Sequence, residues 1–274
     1  MSKLSSFNLR IFGAIVSLIV STLAVLLLAR STFINELEAR TWDWRMRLPN
    51  VLPDPDPRIS LVLLDQESLE YGIKHFGVYW PWPRQMYEAV INFLSQSEAR
   101  AVAFDILFTE HTSENLEDDK SFVDSVGGEL PVVLASSLNK GDNLESTDDF
   151  DQFISAQKFR SADSLTRSLI DVFPWPEYSS VTLPFKELLA KTKYFGNVSA
   201  NPDTDGVFRY TIPVAYLKDQ PVLSLPFALG SASQIKNIIK WKEVVTSTGN
   251  LVIKYTDPSK KYKTFHISDL IQSY

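Results

Sequence analysis

No cysteine occurs among the 274 residues. Disulfides are therefore excluded, and so are a thiolate metal site and a cysteine nucleophile. Histidine is scarce. His75, His111 and His266 are the only three, far apart and in no H-x-x-x-H spacing, so a histidine-rich metal site is not expected. The chain also lacks a basic excess. Its net charge of −6 provides no overall field to attract nucleic acid, and no nucleic-acid partner is expected. A phosphate-binding G-x-x-x-x-G-K loop, a G-x-S-x-G nucleophile elbow and internal repeats are all missing. Nothing points to a cofactor. Acids dominate from Glu110 to Asp151 and lysines from Lys236 to Lys263. Both runs read as solvated surface.

What is present begins with a long apolar run. Ile11 to Ala29 reads IFGAIVSLIVSTLAVLLLA, without a charge. As a helix it spans about 28 Å, roughly the thickness of a bilayer core. Only Ser17, Ser21 and Thr22 interrupt it, too few to make the polar face of a globular helix. It exceeds the apolar core of a cleaved signal peptide, and no small-x-small cleavage site follows. An uncleaved signal anchor is the reading: residues 1–10 a cytoplasmic tail, 11–29 the transmembrane segment. Lys3 and Arg10 precede it, whereas Arg30, Arg40, Arg45 and Arg47 follow. A literal positive-inside count disfavours an outside domain, but long domains translocate largely regardless of charge. On charge alone the orientation stays open.

Residues 30–58 read as a juxtamembrane helix and a connector. Thr32 to Leu48 has helix-forming composition, and Pro49, Pro53, Pro55 and Pro57 make a stiff extended stretch. Trp42 and Trp44 suit either a membrane interface or packing on the domain. From residue 59 to 274 the pattern is α/β. Ile59 to Leu64 reads as a buried strand, Arg84 to Gln96 as a helix after Pro83, and Ala101 to Phe104 as a second buried strand. Strand, helix, strand implies a βαβ unit and a mainly parallel sheet with flanking helices. A helix over Leu116–Val126 and a strand over Pro131–Ala135 continue it. Asn139 to Ser180 reads as a long surface excursion and Val207 to Leu217 as a strand. Leu223–Ala232 reads as a helix, and Val244–Thr248 with Leu251–Tyr255 as a hairpin.

Asp65 and Asp105 each follow one of the first two strands. On a parallel sheet both belong on the carboxyl edge, where open α/β sheets bind ligands. Between them lies Trp80-Pro81-Trp82-Pro83-Arg84. An arginine opening a helix opposes the helix dipole, so a carboxylate partner is expected, Asp65 or Asp105 being the natural one. Asp65, Trp80, Trp82, Arg84 and Asp105 thus read either as a brace for the loop or as a ligand pocket with an aromatic wall. A second cluster, Asn201-Pro202-Asp203-Thr204-Asp205-Gly206, mimics a calcium loop. Its twelfth position is Ile212 where a bidentate Glu is needed. A structural turn is the better account, with Asp203, Asp205 and Gly206 in the turn and Arg209 pairing back onto the aspartates.

These residues resemble the CHASE domain of the second type, a sensory domain associated with cyclases, histidine kinases and serine/threonine kinases. The resemblance is carried by Trp42-Asp43-Trp44-Arg45-Met46-Arg47, by ISLVLLDQESL from Ile59, and by Trp80-Pro81-Trp82-Pro83-Arg84. AVAFDILF from Ala101 and GNVSANPDTDGVFR from Gly196 complete it, in the family's order, over about Leu37 to the end. It implies a bacterial, extracytoplasmic input domain behind a membrane helix, in the inner or plasma membrane, with an unknown external ligand and a possible homodimer. It assigns no catalytic residue. It also implies a further strand, return helices and a cyclase or kinase output, none of which precedes Tyr274, so the chain is expected to be a truncated or fragmentary input. Two other readings remain open: an extracytoplasmic metal-dependent enzyme using Asp65 and Asp105, and a structural envelope protein.

Overall fold

A computed structural model describes residues 2–29, 32–46, 53–112, 116–140, 147–160, 175–203, 205–234, 250–253, 255–257 and 260–273. It divides into two compact units. The first comprises Met1–Asp56 with Lys254–Lys261. Its helix α1 (Ser2–Ala29) contains a stretch, Arg10–Leu27, long and apolar enough to cross a membrane, and exposed throughout. Helix α2 (Thr32–Met46) follows. Trp44 is exposed, and Trp42 lies under the Arg45 guanidinium at 5.7 Å from its ring. The connector is tied to the later segment of the same unit. Asp257 N–H donates to the Pro53 carbonyl, and Lys260 Nζ pairs with Asp54 at 2.5 Å.

The second unit, Pro57–Ile253 with Tyr262–Tyr274, is an α/β assembly. Its elements begin with β1 (Ser60–Leu63), α3 (Gln66–Phe76), α4 (Arg84–Gln96), β2 (Val102–Phe104), α5 (Leu116–Val126) and β3 (Val132–Asn139). Then come α6 (Thr147–Arg160), β4 (Glu177–Tyr178), β5 (Ser180–Thr182), α7 (Lys186–Lys191), β6 (Tyr194–Asn197), β7 (Tyr210–Thr211) and β8 (Val214–Leu217). Last are β9 (Gln220–Leu223), α8 (Leu225–Ala232), β10 (Leu251–Val252), β11 (Lys263–His266) and α9 (Ile267–Ser273).

The sheets are mixed rather than mainly parallel. Parallel pairs are β1/β11, β2/β3, β3/β6 and β4/β8, and antiparallel pairs are β3/β5, β7/β10 and β8/β9. A parallel βαβ unit is present as β2–α5–β3. The one expected between Ile59 and Phe104 is not. β1 pairs with β11, from the far end of the chain, and two helices, α3 and α4, separate it from β2. The apolar run at β1 also proves to be a largely exposed strand, with Leu61 and Leu63 each 42% accessible. Hydrophobic sequence alone records no strand partner, so the pattern cannot distinguish the nearest strand from β11 at the far end of the chain. The stretch from Asn139 to Ser180 contains α6 and β4. In the expected C-terminal hairpin, residues 244–249 lie outside the described residues, and β10 pairs with β7.

The centre of the unit is β3. Its residues Val132 to Ser136 are buried, and alternate side chains enter different clusters. Val132, Leu134 and Leu138 join Trp82, Tyr87, Val90, Phe104, Phe108 and Phe122, whereas Val133 joins Trp175, Val214, Leu223 and Ala228. The period of two along a strand thus builds apolar layers on both faces of the sheet. Close packing requires a glycine at Gly196 on β6. A Cβ there would stand 2.3 Å from Leu225 Cα, at the start of α8. Overpacking against backbone that cannot yield costs about 1–3 kcal/mol. Gly196→Ala should therefore lower the melting temperature by several degrees, and an unchanged thermal midpoint would count against this approach of β6 to α8.

Candidate functional site

The Trp80–Arg84 segment closes over α3 and opens α4. Its two tryptophans have opposite fates. Trp82 is 1% accessible and packs on Gly72 of α3, where an added Cβ would come within 3.0 Å of its ring. Trp80 is 55% accessible. Pro83 precedes α4 and has no side-chain acceptor to cap it. The free N–H groups of the first turn are met from elsewhere: Arg84 N–H and Gln85 N–H donate to the two oxygens of Asp118 on α5, at 2.6 and 2.5 Å. A carboxylate at a helix N-terminus satisfies both the open donors and the helix dipole.

The Arg84 side chain pairs with neither Asp65 nor Asp105, contrary to the sequence expectation. Its Nη2 donates to the Glu110 carbonyl at 2.8 Å, its Nε lies 3.6 Å from Asp119 Oδ1, and its guanidinium covers the Phe108 ring at 4.7 Å. The network continues. Asp119 accepts from Thr112 N–H and hydroxyl and contacts His111 Nδ1 at 3.0 Å, while His111 Nε2 reaches Glu187 on α7 at 3.1 Å. Ser121 on α5 donates to Glu88 on α4. Beside it burial pushes the Tyr87 phenol up to about 12. Asp118 and Asp119 are not legible as site residues in the sequence, because two adjacent acids opening a helix look like any solvated first turn; only their burial, at 6% and 4% accessibility, distinguishes them. His111 is an exposed ring whose place in the network comes from tertiary contacts alone.

Asp65 caps α3, accepting from Ser68 N–H at 3.1 Å and Ser68 hydroxyl at 2.8 Å. Its second oxygen takes a 2.7 Å hydrogen bond from His266 Nδ1. The Ser68 bonds, first, and then His266 hold the Asp65 carboxyl below its ordinary range. Asp105 is exposed at the end of β2. Because β1 and β2 belong to different sheets, the two aspartates do not share a carboxyl edge. Among the described residues no group of three or more His, Asp or Glu is arranged to hold a metal ion.

The second cluster is a closed turn. Arg209, 3% accessible, donates through Nη1 to Asp203 Oδ2 at 2.8 Å and Asp205 Oδ1 at 2.9 Å, and through Nη2 to Asp205 Oδ2 at 2.7 Å. Gly206 adopts φ +81°, a left-handed conformation that glycine enters without steric cost. Asp203 and Val207 are joined by a 2.9 Å backbone bond. Upstream in the same stretch, Asn197 Oδ1 accepts from Leu138 N–H and Ser199 N–H, each at 3.0 Å, and Ser199 Oγ donates to Leu138 O at 2.8 Å. Beyond the last β3–β6 pair, these side chains satisfy the backbone of β3. Elsewhere an open depression of about 440 Å³ is lined by Lys140, Glu177, Tyr178, Ser179 and Lys218. Its ammonium groups already lie over aromatic rings, Lys140 over Tyr178 and Lys218 over Phe150.

The family model of the CHASE2 domain matches residues 19–273, and the chain belongs to that family of extracellular sensory domains. The match starts inside α1, earlier than the Leu37 suggested by motifs alone. No curated protein and no solved structure matches the chain.

Two outcomes are expected. Trp82→Ala should destabilise the domain by about 3–5 kcal/mol, as loss of a large buried aromatic does. Trp80→Ala should stay within about 0.5 kcal/mol, as exposed substitutions do. Denaturant titration of both variants checks this, and equal losses would contradict the split. Arg209 holds Asp205 down at about 2 against its ordinary 3.8. A lowered carboxyl stabilises the fold above its unfolded value and loses that contribution as pH falls through the folded one. Arg209→Ala should accordingly flatten the wild-type loss of stability between pH 4 and 2, read by circular dichroism. A variant as steep as wild type there would refute the turn's part in acid stability.

Proposed function

We propose that this chain is the sensory input of a membrane signalling protein, held outside the cytoplasm of a bacterial cell by a single span. The observation that carries the reading is the family match over residues 19–273, joined to an N-terminal helix with the length and hydropathy of a span. In this reading residues 1–10 are cytoplasmic, 11–29 cross the inner or plasma membrane, 30–58 connect and 59–274 sense. The output, a cyclase or kinase, lies outside this chain, and a homodimer is the arrangement that lets single spans act on one another.

Within the Trp80–Arg84 segment, exposure supports a division of labour. Trp80 and Asp105 are the groups available to an external ligand, together with the neighbouring Tyr79, which is 70% accessible. Trp82, Arg84 and Asp65 serve that surface by holding α3 and α4 beneath it. An exposed aromatic face suits a ligand with an apolar body or a cationic group.

The placement is directly testable. Protease added to cells whose outer layers have been made permeable should degrade the 59–274 region while cytoplasmic markers stay intact. Full protection of that region under the same conditions would falsify the outward placement.

A further inference from the structure

The first and last strands of the sensory unit meet as a short parallel pair, with Ser60 opposite Lys263 and Leu63 opposite His266. Immediately beyond the pair, two helices begin. Asp65 caps α3, and His266 precedes α9. The carboxylate of Asp65 only accepts hydrogen bonds, so at 2.7 Å His266 Nδ1 carries the proton and donates. The other ring nitrogen, Nε2, stands 3.7 Å from Glu67 Oε2 in the first turn of α3. Asp269, in the first turn of α9, accepts from His266 N–H at 3.1 Å.

The ring is therefore held among three carboxylates, Asp65, Glu67 and Asp269, which come from both sides of the seam. α4 also packs on α9, but none of its charged groups acts on the ring. On β11 itself, Lys263 is turned over the Phe265 ring. In the neutral imidazole, Nε2 presents a lone pair toward the Glu67 carboxylate. A second proton converts it into a donor and lets one ring bridge Asp65 and Glu67.

We propose that the β1–β11 seam is a proton-operated clasp, in which protonation of His266 tightens the last strand of the sensory unit onto its first. The proposal deepens the sensory reading and rests on it, naming the proton as a signal that the domain registers. The seam is suited to the task. It is four residues long, β1 is mostly exposed, and Lys263 and Thr264 at the start of β11 are exposed as well. Short exposed ladders belong to the low-stability end of a fold, where local opening is cheap.

The hydrogen bond to Asp65, foremost, and the surrounding carboxylates raise His266 above its ordinary 6.5. A raised basic group contributes fully below its unfolded value and loses that contribution as pH rises through the folded one. Asp65, lowered from 3.8, remains ionised over the same interval. The clasp is thus closed in mild acid and loosens toward alkaline pH.

Hydrogen exchange on the full chain in lipid nanodiscs, corrected for intrinsic rates, tests this at pH 5.5 and 8. Protection of 60–64 and 263–273 should fall several-fold at pH 8 in the wild type. In His266→Gln, which keeps a donor but does not titrate, protection should be equal at the two pH values. Asp65→Asn keeps the cap on α3 and should likewise flatten the response, so a folding failure of either variant leaves the other to decide. Equal wild-type protection at both pH values overturns the clasp, as does a wild-type response retained in either variant. Protease accessibility reports on placement separately. A domain degraded from outside whose seam ignores pH removes the clasp and leaves the sensory reading. A domain protected from outside removes the sensory reading, and the exchange data still judge the clasp.

Discussion

The constraint on which the second unit depends is the burial of β3. A strand covered on both faces has no water to satisfy its backbone, so its N–H and C=O groups must find partners within the protein. β2 and β6 supply parallel ladders along its first half, and β5 an antiparallel ladder along its second. Beyond β6, Asn197 and Ser199 take over at Leu138. This explains the mixed sheet. A long buried strand is completed by whatever chain returns beside it, and the short return at β5 runs the opposite way.

The same economy of partners governs the Trp80–Arg84 segment. Proline before α4 leaves the helix without a local cap, and Asp118 supplies one from α5. Arg84, at the positive end of that helix, is in turn compensated by Asp119 and by a carbonyl. α4 and α5 are therefore joined by charge-assisted bonds as well as by the Tyr87–Phe108–Phe122 aromatic cluster, whose centroids lie 5.0 to 6.1 Å apart. Much of the most distinctive motif in the sequence is structural. Of its aromatic residues, only Trp80 is left toward solvent.

Membership of an extracellular sensory family gives these features their meaning. A rigid centre around β3 carries two kinds of exposed feature: the Tyr79–Trp80 surface above α3, and the His266 seam where the unit's ends meet. The centre has paired strands and buried aromatics. The seam has four residue pairs and a titratable ring. A signal acts most readily on the part with the least holding it in place.

Several features were legible in the residues themselves. The apolar run from Ile11 to Ala29, the helices at Arg84–Gln96 and Leu116–Val126, the strand at β3, and the family motifs all depend on composition or short-range periodicity, which sequence records directly. Strand partners, burial and distant caps depend on contacts between segments far apart in the chain, which it does not. β1 had an apolar strand pattern but no indication that β11 was its neighbour. Asp118 and Asp119 had the composition of a surface turn but lie buried against α4. Arg84 announced its need for a carboxylate, and tertiary structure chose which one. Asp65 and His266 are 201 positions apart. Each was visible alone, and only the fold places a proton between them.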